Sequence, residues 1–355
     1  MWLFKKRRVP MVGIDISSSV VKLIQLGLHD KRYRVEHYGV QRLPENAVSE
    51  RRIVNVQEVG QAIKKAVERS GTRAKFAAVA VPYSAMIERE IILPAGLSDD
   101  EMEAEIQSRA DEHLPFPIDQ VYLDFQVLEG VSDDGKGVKS LLVASHKEHV
   151  DLRKEALEIG GLIAKVVDAE SYAVERTFNL ISDQLPDEGV QKVIAIVDIG
   201  ATMTTVNVLH DGRLVFIKEQ LFGGKELTEE IRKHFGTSYE DAGMAKKRGG
   251  LPSNYVSEVL NPFKEKMVTQ INQSLRSFFN SPQSTQEGVD VIVLSGGNAS
   301  IPEINEFIED KTKIKTIIAN PFANVSLASR IDSKALTDDA PALMIACGLA
   351  LRSFD

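Results

Sequence analysis

The sequence predicts an α/β protein built from two halves that repeat one unit, and three observations predict it. Asp15-Ile16-Ser17-Ser18-Ser19-Val20-Val21-Lys22 is answered, 183 positions later, by Asp198-Ile199-Gly200-Ala201-Thr202-Met203-Thr204-Thr205. Each copy follows an aliphatic run and re-enters an apolar run after small or hydroxylated residues. That is a strand, an acidic residue at its end, a tight turn and a second strand, used twice. Downstream of each copy, strand-like runs mix with stretches of helical spacing, the signature of a layered α/β fold.

The elements follow in order. Residues 9–13 and 20–28 read as strands around the first turn, and 33–43 as a third. Residues 56–70 carry apolar side chains at helical spacing (Val56, Val59, Ala62, Ile63, Ala66, Val67) and stop at Gly71. A short strand over 77–81 ends at Pro82, and 87–93 alternates as a half-buried strand does. Ser98 with Glu101 forms a capping box that opens a charged helix running to His113, where Pro115 and Pro117 stop it. Strands over 121–128 and 139–145 flank a polar turn, a helix spans 148–160, a strand 163–167 and a helix 169–180. Residues 182–191 are linker-like and fall just before the second copy of the turn. Strands then follow over 193–197, 204–209 and 213–219, with Asp211-Gly212 as a turn. Gly223-Gly224 precedes a helix over 227–235, and a polar helical region reaches 280. Residues 289–294 form a buried strand, and 341–352 an apolar helix.

Composition narrows the class. A chain of 355 residues has room for one very large domain or two medium ones. The net charge of −8 argues against a general nucleic-acid binder. The single cysteine, Cys347, rules out an internal disulfide and any cysteine-rich metal site, and its Ala-rich apolar surroundings mark a buried structural thiol. No apolar run reaches the ~18 residues a membrane-spanning helix needs. The start, Met1-Trp2-Leu3-Phe4-Lys5-Lys6-Arg7-Arg8, is apolar before basic, the reverse of a secretory signal. It has two readings: contact with an anionic membrane surface through Trp2 and Phe4, or a terminus with no such role. The balance points to a cytoplasmic protein.

The repeated turn has a chemical meaning. Two facing hairpins of this kind can hold a polyphosphate and its metal, because the turns offer N–H groups and hydroxyls while Asp15 and Asp198 offer the hard oxygens Mg²⁺ prefers, through its water shell. Either turn alone reads more readily as an ordinary Asp/Ser turn; it is the duplication that favours a ligand. A third element, Val291-Ile292-Val293-Leu294-Ser295-Gly296-Gly297-Asn298-Ala299-Ser300-Ile301-Pro302, sets paired glycines after a buried strand and before a helix start. Backbone there can approach a ligand with no Cβ in the way.

In this order the three motifs resemble phosphate 1, phosphate 2 and adenosine of the actin–Hsp70–sugar-kinase ATPase superfamily. The insertion inside the first half resembles the SHS2 subdomain of the cell-division protein FtsA. Leu114-Pro115-Phe116-Pro117, Glu219-Gln220-Leu221-Phe222-Gly223-Gly224, Leu227-Thr228-Glu229-Glu230-Ile231 and the run from Asp339 to Ala350 resemble the PilM family, the actin-like component of type IV pilus assembly machines. The resemblance implies an actin-like ATPase fold with duplicated ribonuclease-H-like halves. Its divisions are 1–87 with 161–181 as the first half, 88–160 as the FtsA-like insertion, and 192–355 as the second half, with a subdomain inserted at about 223–285.

The resemblance also implies residue roles. Asp15 and Asp198 would hold Mg²⁺ through water. Ser17, Ser18 and Ser19 would lie under the β-phosphate, with Lys22 reaching the phosphates. Gly200, Ala201, Thr202 and Thr204 would form the second phosphate loop, and Gly296, Gly297 and Asn298 the loop beside adenosine. Gly224 and Thr228 would lead to a helix near the nucleotide, Lys246 would approach the ribose or base, and Glu170 would position water. As bare residues, Lys22 also reads as a snorkelling edge lysine, Lys246 as solvated surface and Glu170 as an exposed helix charge. The chain departs from the family at Ser17, where Gly is usual, and at Ala201, Thr202 and Met203, where more glycine is usual. Those side chains crowd the γ-phosphate region, so ATP is expected as a conformational ligand with slow turnover at best.

The partner implied is the N-terminal cytoplasmic peptide of a PilN-like inner-membrane protein, docked between the first half and the insertion, near Phe116, Tyr122, Phe125 and Leu162. Other pilus-machine components, including the assembly ATPases, and self-association are also implied. The protein would then sit in the cytoplasm, held at the inner membrane through its partner, in the complex behind twitching motility. The main alternative is an FtsA-like division protein, and a less favoured one a sugar or acetate kinase, which needs a catalytic base and polar substrate ligands that the sequence does not display.

Overall fold

The computed structural model describes residues 9–131, 137–281 and 288–355. The basic N-terminal segment and most of the turn expected between 130 and 137 lie outside the described residues.

The first half opens with β1 (Met11–Ile16), β2 (Val20–His29) and β3 (Arg32–Arg42), then a small hairpin of β4 (Val48–Ser49) and β5 (Arg52–Ile53). Next comes α1 (Val56–Ser70), capped by Asn55 on the Glu58 N–H and closed by Gly71 in the left-handed region (φ 66°). β6 (Phe76–Val81), β7 (Met86–Pro94), α2 (Asp99–Ser108), α3 (Ala110–His113), β8 (Val121–Val131), β9 (Gly137–His146), α4 (Lys147–Ile159), β10 (Ile163–Ala169) and α5 (Glu170–Phe178) follow. The capping box at Ser98 and Glu101 is formed. The helix expected to run unbroken to 113 stops instead at Arg109, whose backbone leaves the helical region (φ −116°, ψ 17°) while its N–H closes the last turn on Glu105 and Ile106.

The second half contains β11 (Val193–Ile199), β12 (Thr204–His210), β13 (Arg213–Gln220), α6 (Gly224–Phe235), α7 (Tyr239–Arg248) and α8 (Asn261–Phe279). A π-turn at Val256–Leu260 leads into α8, where Pro262 disfavours the regular helical ladder four residues back. β14 (Val291–Ser295), α9 (Ile304–Thr312), β15 (Lys315–Ile318), β16 (Ser326–Leu327), α10 (Ser333–Asp339) and α11 (Met344–Leu351) complete the chain.

Two sheets share one topology. The first runs β10-β6-β1-β2-β3-β16 and the second β13-β12-β11-β14-β15. In each, the first three strands of the sheet form an antiparallel meander, the fourth joins the first in parallel, and the fifth joins the fourth in parallel. Even the irregularities repeat, with bulges at Gln25/Leu26 and Val208/Leu209 in the equivalent ladders. The central strands β1 and β11 are buried along their whole length, as parallel-paired strands covered on both faces must be.

Packing differs from the expected divisions at two places. β7, β9 and β8 form a separate three-stranded sheet with its own core of Ile91, Leu93, Met102, Ile106 and Leu142. However, α4, expected inside the insertion, packs on α1, and its Ala156 and Leu157 join the first-half core. The insertion's own packing therefore ends near His146. Likewise β16 pairs with β3, and α11 lies on β1, β2 and α5. This tail of the expected second half thus covers the first. The approach is close: a Cβ on Gly13 would sit 2.1 Å from the Ala346 carbonyl oxygen, and one on Gly348 would sit 1.8 Å from that of Ala173. One apolar cluster (Met11, Ala78, Val174, Ile194, Val293, Ile345) joins both sheets through α5 and α11. Cys347 lies in the neighbouring cluster, fully buried, with its thiol pushed far up by burial.

Candidate functional site

The two predicted turns are the same turn. The Ser17 N–H donates to the Val20 carbonyl at 3.0 Å, and the Gly200 N–H donates to that of Met203 at 2.9 Å. In the ladders, Asp15 stands opposite Lys22 and Asp198 opposite Thr205. The hairpins meet tip to tip, the Thr202 hydroxyl donating to Ser18 Oγ at 3.1 Å. Lys22 Nζ lies 2.7 Å from Asp15 Oδ2, and both are buried. Asp198 is buried too, accepting from Ser295 Oγ at 3.3 Å. Burial pushes its carboxyl above the usual aspartate range; Lys22 and Arg51 pull it down and Asp15 pushes it further up. The four charged groups therefore share one field.

Glycines interlock the loops behind the second hairpin. The Gly224 and Lys225 N–H groups donate to Gly200 O (3.1 Å) and Ala201 O (2.7 Å), and Asn298 Nδ2 donates to Ile199 O (3.1 Å) and Gly200 O (2.7 Å). A Cβ on Gly224 would sit 2.1 Å from Asn298 Oδ1, and one on Gly296, whose φ is +82°, would sit 2.5 Å from Ile199 O. Gly297 is exposed, and a Cβ there would meet nothing within 4 Å. Lys246 Nζ donates to Gly224 O at 2.9 Å. Two predicted site hydroxyls are engaged with backbone: Thr204 Oγ1 on Phe222 O (2.9 Å) and Thr228 Oγ1 on Gly224 O (3.1 Å). They brace the loops from behind. Asp15, Ser17, Ser18, Lys22, Asp198, Gly200, Ala201 and Thr202 come together around the two tips, while Ser19 is exposed beside them.

Glu170 is buried at the start of α5 and is ion-paired to Arg51, a residue that sequence reasoning missed. Arg51 Nη2 also donates to Thr205 Oγ1 at 2.8 Å, and Nη1 lies 3.7 Å from Glu219 Oε1. These residues line a small polar pocket with Ser171, Asp198 and Asn207. Ser171 Oγ, Asn207 Oδ1 and Glu219 Oε1 are buried there without a hydrogen-bond partner among the described residues. Among those residues, too, no cluster of three or more His, Cys, Asp or Glu could hold a metal directly. The donor set thus suits a hydrated cation, whose waters would supply hydrogens to the orphaned acceptors, better than a bare ion in an all-protein cage.

Comparison with known proteins agrees with this architecture. A cell division protein FtsA of Enterococcus hirae is 24% identical over 342 residues, spanning 84% of this chain and 75% of that protein. The FtsA of Enterococcus faecalis is 22% identical over 373 residues, spanning 88% and 81%. Among solved structures, the PilM–PilN type IV pilus biogenesis complex matches 98% of this chain and 100% of its own, with a TM-score of 0.81 at 24% identity. MreB5 of Spiroplasma citri bound to AMPPNP matches 96% and 95%, with a TM-score of 0.51 at 14% identity. These likenesses establish the actin-like ATPase fold. The family model of the type IV pilus assembly protein PilM matches residues 13–354, and the chain belongs to that family.

Proposed function

We propose that the chain is a nucleotide-dependent scaffold of the type IV pilus assembly machine, with Mg-ATP held between the two hairpins. The observation that carries this reading is the tip-to-tip meeting of two turns of the same geometry, with Asp15 and Asp198 buried at the strand ends before them. When bound, magnesium would neutralise the phosphate charge. Asp15 and Asp198 would orient its waters, Lys22 and the turn N–H groups would take the phosphates, and the open backbone at Gly297 would face adenosine. The side chains of Ala201, Thr202 and Met203 favour binding over turnover, so the nucleotide acts by setting how the halves close. The partner is the N-terminal peptide of a PilN-like inner-membrane protein, and the chain works in the cytoplasm, held at the membrane through it. Exposed Phe116 and Tyr122 beside the insertion sheet suit such a peptide, whereas Leu162 is buried in the first-half core.

Calorimetry with Mg-ATP tests the site. Asp15→Ala should weaken binding at least ~10-fold, the loss expected for a charge-assisted metal contact. Unchanged affinity would refute the role. Retention of the chain on an immobilised PilN-like peptide, modulated by ATP, tests the scaffold; retention by neither state would count against it.

A further inference from the structure

The two hairpins share one register, but the charge at Lys22 has no counterpart in the second. Opposite Asp15 stands Lys22, but opposite Asp198 stands the neutral Thr205. The missing cation arrives from the other half of the molecule. Arg51 sits in the turn of the β4–β5 hairpin, where Glu50 and Arg51 take left-handed backbone (φ 46° and 64°), and it reaches Thr205 Oγ1 at 2.8 Å. Its position is fixed from behind. Arg153 is 1% exposed, donates from Nη2 to the Arg51 carbonyl at 3.1 Å, and holds Ala80 O (2.7 Å) and His149 O (2.9 Å) with its other nitrogens. A buried guanidinium serving only carbonyls braces the turn that presents Arg51.

We propose that Arg51 reads the terminal phosphate of the nucleotide and sets the preference for a triphosphate over a diphosphate. The inference rests on the nucleotide reading above and adds to it a specificity-determining residue. Arg51 is placed beside the second phosphate loop, and a guanidinium matches phosphate oxygens through two parallel donors. Its present counter-ion is Glu170. A terminal phosphate competes with that carboxylate for the same guanidinium; a diphosphate leaves the pair intact. Ser171 Oγ and Asn207 Oδ1, which lack hydrogen-bond partners among the described residues, line the pocket into which Arg51 and Glu170 project, and Glu219 Oε1 already lies 3.7 Å from Arg51 Nη1, so both arrangements have polar groups to rest against.

The test is calorimetry of the full chain with magnesium and either AMPPNP or ADP, for wild type, Arg51→Ala, Arg51→Lys and Glu170→Gln. Wild type should favour the triphosphate. Arg51→Ala should lower triphosphate affinity ~10-fold or more and diphosphate affinity less than about 2-fold, the difference expected for one charge-assisted contact. Arg51→Lys should recover part of the loss. Glu170→Gln should strengthen triphosphate binding selectively, because it removes the competitor. Equal losses for both nucleotides, or weaker triphosphate binding in Glu170→Gln, would make Arg51 a strut between the halves and overturn the proposal while leaving the nucleotide site intact. A wild type that binds neither nucleotide overturns the site and this inference together. If Arg51→Ala does not fold, Arg51→Gln, which keeps a donor for Thr205, replaces it with the same expectations.

Discussion

At Asp198 the proposed function and stability would oppose each other in one side chain. Its carboxylate ends a buried strand, and burial raises its pKa above that of the unfolded chain. An acid with a raised folded pKa is favoured by the fold in its protonated form. The ionised group therefore lowers stability at neutral pH, and that penalty fades as pH falls through the folded pKa. Asp198→Asn should raise the melting temperature of the nucleotide-free protein at pH 7 by on the order of 2 °C, while weakening Mg-ATP binding. The gain over wild type should shrink in acid. A lower melting temperature at pH 7 would count against the burial penalty. The matching placement of Asp15 and Asp198 was legible in the sequence because its signal is local, a carboxylate at a strand end before a turn, written twice. Arg51 and Arg153 were not. Arg51 lies between strands of two residues each and reads as surface, and nothing in α4 marks one of its charges as fully buried. Their roles come from partners 102 to 154 positions away.

Elements were read well where period and caps agree. The helix over 56–70 and its Gly71 stop are observed as expected, since spacing, the Asn55 cap and the left-handed glycine act within a few residues. The break at Arg109 was not readable, and the packing of α4 on α1 has no local signal. The glycines separate closely packed backbone from the open backbone proposed to face the ligand. Gly13→Ala puts a methyl group into the α11 backbone and should destabilise by about 1–3 kcal/mol or more in denaturant titrations. Gly297→Ala should stay within about 0.5 kcal/mol of wild type, because its Cβ meets nothing, and should act on nucleotide affinity instead. The reverse pattern would mean that the open backbone has been assigned to the wrong loop.

At the scale of the whole molecule, the duplication was visible in the sequence, because a repeated strand–turn–strand survives as a repeated residue pattern. The crossing of the tail was not, since pairing of Ser326 with Arg34 depends on where two finished sheets lie. The cluster shared by both sheets couples the halves, so the nucleotide should stabilise the molecule as one unit. Mg-ATP at 100 times its Kd should add about 2.7 kcal/mol and shift a single melting transition upward. EDTA should remove most of that shift, and two transitions of which one moves would contradict the coupling. The same crossing fixes an order of events during synthesis. β1 and β2 emerge from the ribosome long before the helix that covers one of their faces, Met344–Leu351. The nascent first sheet must wait, with an apolar face uncovered, until that helix has been made. Chains stalled or cleaved before residue 344 are therefore substrates for chaperones and proteases rather than half-sized versions of the protein.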